Sequence, residues 1–208
     1  MDVAQQRTYG RATAVALGRR GLRWLERGRL RGLTTLGPVQ RFRNGIKPPV
    51  GPDDVLAWVT ALDEAGVRCW LAGGWGVDAL VGRQTRVHRD LDLVIDRADA
   101  ETALRVLHAG GFAHVRPAVG GADRFVPGHF LSHRELLQRP DLLTLDVHPV
   151  DPVAWAAHLG VPEPFTTGTV AGRTVGCLSA AAQRVGHQGF APAARHRANL
   201  RLLDELRC

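Results

Sequence analysis

Apolar positions recur along the chain with two different periods, and the switches between them outline the elements. Val55, Leu56, Trp58, Val59 and Leu62 are spaced for one face of a helix that opens on Asp53 and Asp54 and stops at Gly66. The apolar run over 67–72 predicts a strand ending at Gly73-Gly74, and a short helix follows over 75–81. A polar loop over 82–89 leads into an alternating stretch over 90–95, which predicts a second strand. Farther on, the pattern predicts a helix over 98–108 closed by Gly110-Gly111, and strands over 112–115, 130–132 and 143–148. A helix over 153–158, a hairpin over 170–175 bending at Ala171-Gly172-Arg173, and helices over 179–187 and 193–206 complete the reading. Helices and strands are interleaved and no fixed-period repeat occurs, so the fold class is α+β (mixed α/β), a small sheet flanked by helices.

Composition narrows the picture. With 45% hydrophobic and 23% charged residues over 208 positions, the chain has the balance of a soluble globular protein. No run approaches the ~20 apolar residues of a membrane-spanning helix. Three widely separated cysteines, Cys69, Cys177 and Cys208, do not make a disulfide framework, so a reducing, cytoplasmic setting is expected. Charge is distributed unevenly. Eleven of the 27 basic residues but only two of the 20 acidic ones lie at or before Val50, so the high basicity belongs to that segment. The breaker cluster Pro48-Pro49-Val50-Gly51-Pro52 marks the boundary, dividing a basic, partly helical extension (1–50) from a main domain (51–208). In the extension, Val15, Leu22, Leu25, Leu33 and Leu36 share one side of a helix and arginines fill the other; Arg19, Arg20, Arg23 and Arg27 interrupt any secretory h-region. Its leucines pack on the domain, or its basic face meets RNA, an anionic membrane or nucleotide phosphates.

The candidate chemistry is concentrated between Trp70 and Asp96. A strand that runs into two glycines and then a helix exposes backbone N–H groups where a polyphosphate can approach, although many such pairs are only turns. Asp90 and Asp92 are two apart in an extended run and share a face, with Cα atoms about 6.6 Å apart. Paired carboxylates either face solvent at a sheet edge or enclose a hard divalent cation such as magnesium. Downstream, Asp146 sits in a strand-like context with His148 on the same face. A neighbouring strand there brings a third carboxylate to Asp90 and Asp92, a set able to hold two cations ~3.5–4 Å apart for displacement at phosphorus. At a strand end, Asp146 is instead a turn residue.

GGWGVDALVGRQTRVHRDLDL, followed by LDVHPVD, FTTGTVAGRTVGCLSAAAQ and HQGF, resembles the nucleotidyltransferases of the DNA polymerase beta-like superfamily. Within it, the motifs are most similar to enzymes that adenylylate lincosamides or the 2″-hydroxyl of aminoglycosides. The resemblance runs from about Asp53 to the C-terminus and implies a small mixed-sheet nucleotidyltransferase fold. It implies Gly73 and Gly74 at the triphosphate, with Arg86 and His88 of the TRxHxD pattern as further nucleotide contacts. It also implies Asp90 and Asp92 as magnesium ligands, and Asp146 as metal ligand, general base or both. The co-substrates would be a nucleoside triphosphate, ATP first, and a small hydroxylated acceptor, with two Mg2+ ions. His148 and His187, the latter with Gln188, Gly189 and Phe190, are candidates to line the acceptor site. Asp78 reads as structural, holding Arg86. Where relatives often carry acidic residues in the last helix, this chain has Arg195, His196, Arg197 and Asn199. That favours a neutral, singly charged or anionic acceptor over a polycationic aminoglycoside.

Other features are bland. Trp70, Trp75 and Trp155 belong to the core, with Trp75 a secondary candidate to stack on adenine, and His129 and His133 lack further ligands for zinc. Two competing functions remain at this level: a nucleotidyltransferase that modifies RNA or tRNA through the Arg-rich extension, and a non-catalytic nucleotide- or partner-binding module. The pattern is silent on oligomeric state.

Overall fold

The computed structural model describes residues 47–115, 135–186 and 194–206; the side chains of 194–196 are not described. The described elements lie in one compact unit. Residues 1–46 of the basic extension, the strand expected over 130–132, His129, His133 and the His187–Phe190 stretch fall outside the described residues.

Helix α1 (Pro52–Glu64) starts where Pro52 presets the first turn and the Asp54 carboxylate accepts from Gly51 N at 2.9 Å. It is followed by β1 (Cys69–Leu71), α2 (Gly73–Val81), β2 (Leu91–Asp96), α3 (Ala100–Ala109) and β3 (Ala113–His114). The remaining described elements are β4 (Glu135–Gln138), β5 (Thr144–Val150), α4 (Pro152–Leu159), β6 (Phe165–Val170), β7 (Arg173–Leu178), α5 (Ala180–Gly186) and α6 (Ala194–Glu205). The strands form one seven-stranded mixed sheet in the order β3-β4-β5-β2-β1-β7-β6. Strand β2 runs antiparallel to β1 and parallel to β5. The α+β class and the mixed sheet flanked by helices agree with the sequence reading.

Strand alternation sorts the side chains by face. Leu91, Leu93 and Ile95 of β2, with Leu145 and Val147 of β5, are fully buried and join Val55, Leu62, Ala103 and Leu107 in the larger core cluster. The opposite face carries Val94 and Val150 into a smaller cluster with Ala72, Leu178, Ala182 and Trp155. Phe165 stacks between Trp70 and Trp155, at 3.9 and 5.5 Å. Asp92, Asp146 and His148 occupy this second face, because each is an even number of residues from Val94 or Val150.

Several boundaries depart from the sequence pattern, and strand β4 was not expected. Helix α2 begins at Gly73 rather than 75, so the glycine pair forms its first turn. Strand β2 begins at Leu91, which leaves Asp90 outside the ladder. The hairpin is longer than 170–175, with six-residue arms, and β6 contains the polar run Thr166-Thr167-Gly168-Thr169 that masks a strand in a hydrophobicity scan. Its two-residue bend at Ala171 (φ 46°) and Gly172 (φ 79°) has the positive φ values of a tight hairpin turn. Among the described residues, no helix is long and apolar enough to cross a membrane.

Candidate active site

The site is assembled where β1 hands over to α2, beside the start of β2 and the middle of β5. Strand pairing sets Asp92 directly against Asp146, in register Leu91↔Leu145, Asp92↔Asp146, Leu93↔Val147. Adjacent strands lie ~4.8 Å apart, so two carboxylates on the same face at this register are held close together by backbone hydrogen bonds. His148 follows two residues after Asp146, and its Nε2 lies 3.5 Å from Asp146 Oδ1. Asp92, Asp146 and His148 each offer a ligand atom, all within 4.8 Å of one another. The imidazole is buried, with its side chain 6% exposed, and the Asp146 side chain is 14% exposed, so the cluster is set into the surface rather than raised on it.

The glycines bring the turn against this cluster. Gly73 takes φ +55°, a conformation L-residues seldom adopt, and a Cβ there would lie 2.0 Å from Asp92 Oδ2. The absent side chain therefore holds the space that Asp92 occupies. A Cβ on Gly74 would lie 2.4 Å from the His88 ring and 2.5 Å from Arg86 Nη2. Ala72 N donates to Asp92 O at 2.9 Å, tying the entrance of α2 to the strand that carries the carboxylate.

The loop between α2 and β2 is anchored from below by Asp78. Its carboxylate accepts from Thr85 N at 3.1 Å, from Thr85 Oγ1 at 2.5 Å and from His88 Nε2 at 2.6 Å. Asp78 and His88 are 2% and 1% exposed. The His88 ring packs against Trp75 with centroids 4.9 Å apart, and a backbone bridge joins Val50 to His88. Asp78 is structural as expected, with Thr85 and His88 as partners. Arg86 places Nη1 3.3 Å from Val87 O and Nη2 over Gly74.

Of the residues singled out from sequence, the structure brings together Gly73, Asp92, Asp146 and His148. Asp90 is exposed one residue before β2 and is not part of the 4.8 Å group, because the ladder that orients Asp92 starts at Leu91. His88, expected at the phosphates, is buried with Nε2 engaged by Asp78, so it supports the glycine turn from beneath. His148, expected on the acceptor side, stands in the donor set itself. Trp75 is 2% exposed and belongs to the core, not to a surface that could stack on a base. Among the described residues, sequence reasoning missed the loop anchor at Thr85; its signal was the spacing Asp78…Thr85…His88 around a turn.

Comparison with known proteins agrees with the motifs. The family model for aminoglycoside-2''-adenylyltransferase matches residues 54–203. The chain belongs to this family. It is accordingly a nucleotidyltransferase, and the matched span contains Gly73, Asp92, Asp146 and His148. A lincosamide resistance protein of Staphylococcus haemolyticus is 28% identical over 134 residues, covering 60% of this chain and 76% of that protein. A 2''-aminoglycoside nucleotidyltransferase of Escherichia coli is 38% identical over a shorter stretch of 52 residues, 24% of this chain and 29% of the relative. Among solved structures, the lincosamide antibiotic adenylyltransferase LnuA with lincomycin bound superposes with a TM-score of 0.61 at 23% identity, over 76% of this chain and 99% of that one. The antibiotic-resistance factor ANT(2'')-Ia superposes with a TM-score of 0.57 at 23% identity, over 73% and 80%. These superpositions establish the shared nucleotidyltransferase fold.

Proposed function

We propose that this nucleotidyltransferase moves AMP from ATP to a hydroxyl of a small molecule of the lincosamide type, in the cytoplasm, with residues 51–208 as the catalytic domain. The observation that carries the reading is the convergence of Asp92, Asp146 and His148 on one strand pair beside Gly73, within the family-matched segment. The donor set suits a hard divalent cation: two carboxylates fixed in register, with the missing Cβ of Gly73 making room for the Asp92 carboxylate. Asp92 and Asp146 would hold magnesium, with Asp90, two residues before Asp92, supplying a further oxygen. Magnesium bound there supplies charge neutralisation at the reacting phosphate.

The chain's own residues do the rest. Backbone N–H groups at the Gly73-Gly74 turn bind the triphosphate at the N-terminus of α2, where the helix dipole favours negative charge. Arg86 adds a guanidinium at the same turn and orients phosphate oxygens. Asp146 takes the proton of the acceptor hydroxyl as its oxygen bonds to the α-phosphorus, and the bond to the β-phosphate oxygen breaks to release pyrophosphate. His148 steadies the Asp146 carboxylate from 3.5 Å. Catalysis of this kind comes from positioning and electrostatics, with no covalent protein intermediate. Lincosamides are preferred over aminoglycosides as acceptors, on the longer similarity to the lincosamide resistance protein and on the arginines of α6.

The test incubates the protein with magnesium, each labelled triphosphate in turn, and a panel of lincosamides, aminoglycosides and neutral hydroxylated compounds. The expected product is a lincosamide heavier by one AMP, with stoichiometric pyrophosphate, lost on Asp146→Asn. No adduct on any acceptor, or labelling of RNA alone, refutes the reading.

A further inference from the structure

Between the loop after α2 and helix α6 lies a cavity of about 310 Å³, of whose lining only Thr85 and Arg86 make contacts described above. One wall is the loop after α2, with Arg83, Thr85 and Arg86; the other is α6, with Asn199, Arg201 and Glu205. Ala198, Arg201, Leu202 and Glu205 are spaced i, i+3, i+4 and i+7, so a single face of α6 is turned to the loop. Three guanidiniums against one carboxylate make the lining cationic. The loop wall is preorganised: Thr85, between Arg83 and Arg86, is bonded through both backbone and hydroxyl to the buried Asp78. Asn199, only 3% exposed, supplies a neutral polar group in the same lining. Arg86 is common to this lining and to the proposed phosphate cradle, since a Cβ on Gly74 would lie 2.5 Å from its Nη2.

We propose that this cavity is an oxyanion subsite that takes a phosphate-type group adjoining the reaction centre. Forked N–H donors on planar guanidiniums match the oxygens of phosphate and carboxylate, and a rigid loop reduces the ordering cost of binding. The group comes either from the terminal phosphates of the donor or from an acidic substituent of the acceptor. In both cases a polycationic acceptor is repelled from this flank. The assignment of donor and acceptor rests on the nucleotidyltransfer reading; the anion site itself does not.

Inorganic pyrophosphate is titrated by calorimetry at low salt without divalent cation, and the share of binding that the guanidiniums supply is read by removing them. The combined Arg83→Ala and Arg201→Ala substitutions are expected to weaken its binding at least about tenfold, and Arg201→Glu more than Arg201→Ala, with unchanged circular dichroism. Steady-state kinetics of the double variant then separates the sources. A raised KM for ATP assigns the subsite to the donor, whereas a raised KM confined to acceptors bearing a phosphate or carboxylate assigns it to the acceptor. Equal pyrophosphate affinity in wild type and double variant, or no binding to wild type at millimolar pyrophosphate, overturns the proposal. Asp92→Asn keeps the two readings apart: it should abolish transfer and leave the pyrophosphate titration intact. Transfer surviving in that variant would defeat the reaction reading while the subsite stood.

Discussion

Replacing Gly73 by alanine imposes two separable costs. The backbone holds φ +55°, so any Cβ adds strain of ~1–2 kcal/mol. The new methyl would also sit 2.0 Å from Asp92 Oδ2, where real contacts do not fall under 3.0 Å, so the carboxylate must retreat by at least about 1 Å. A displacement of that size at a reacting centre costs on the order of 100-fold in rate. Gly82 isolates the strain: it takes φ +77° at the C-cap of α2, yet nothing lies within 4 Å of a Cβ there. Both substitutions should lower Tm by roughly 2–8 °C, from ~1–2 kcal/mol at ~2–4 °C per kcal/mol in a domain of this size. Only Gly73→Ala should lower kcat, about 100-fold, in an assay of pyrophosphate release run well below both melting temperatures. Wild-type kcat in Gly73→Ala, or an equal loss in Gly82→Ala, would refute the claim that Gly73 is there to seat the Asp92 carboxylate.

Further outcomes follow from the same contacts. Asp78→Ala removes the acceptor of Thr85 N, Thr85 Oγ1 and His88 Nε2 beneath the turn, and should destabilise the fold by roughly 3 kcal/mol in a denaturant titration. A variant as stable as wild type would show that the loop is not anchored there. Burial pushes the Cys177 thiol up to about 12, and burial with the nearby Asp63 charge pushes Cys69 up to about 11. Both thiols should resist a disulfide reagent at pH 8 in the native protein and react on unfolding; rapid labelling of either in the native state contradicts this. The Arg139 guanidinium, 2.5 Å away, holds the Asp141 carboxyl below its usual range. Because the folded-state value is depressed, that contribution is present above the unfolded pKa near ~4 and is lost as pH falls through the folded value. The pair is partly exposed, so Asp141→Asn should cost under ~1 kcal/mol at pH 7, with the difference from wild type vanishing in acid.

Much of the architecture was legible because it depends on local periodicity. The helical spacing after Pro52 and the alternation of Leu91, Leu93 and Ile95 are properties of neighbouring residues, and burial followed from them. The hairpin bend was readable from Ala171-Gly172, but the length of its arms was not, since β6 is stabilised by pairing with β7 and not by its own hydrophobicity. At the site, residue types were informative and partners were not. A carboxylate pair two residues apart pointed to Asp90 with Asp92, whereas the parallel register of β2 on β5 sets Asp92 against Asp146 and leaves Asp90 exposed before the strand. Register between distant strands is a property of the whole sheet. His88 shows the same limit: a histidine in a nucleotide motif looks like a ligand until Asp78, ten residues earlier, is seen to hold its Nε2 in the core.

The account depends on Asp92 and Asp146 acting as one divalent-cation site. Manganese titration followed by electron paramagnetic resonance, on the wild-type protein and on Asp92→Asn and Asp146→Asn, tests it directly. The account predicts a bound-manganese signal in wild type that competes with magnesium and is lost in each variant, with the fold unchanged by circular dichroism. Undiminished manganese binding in both variants would contradict it.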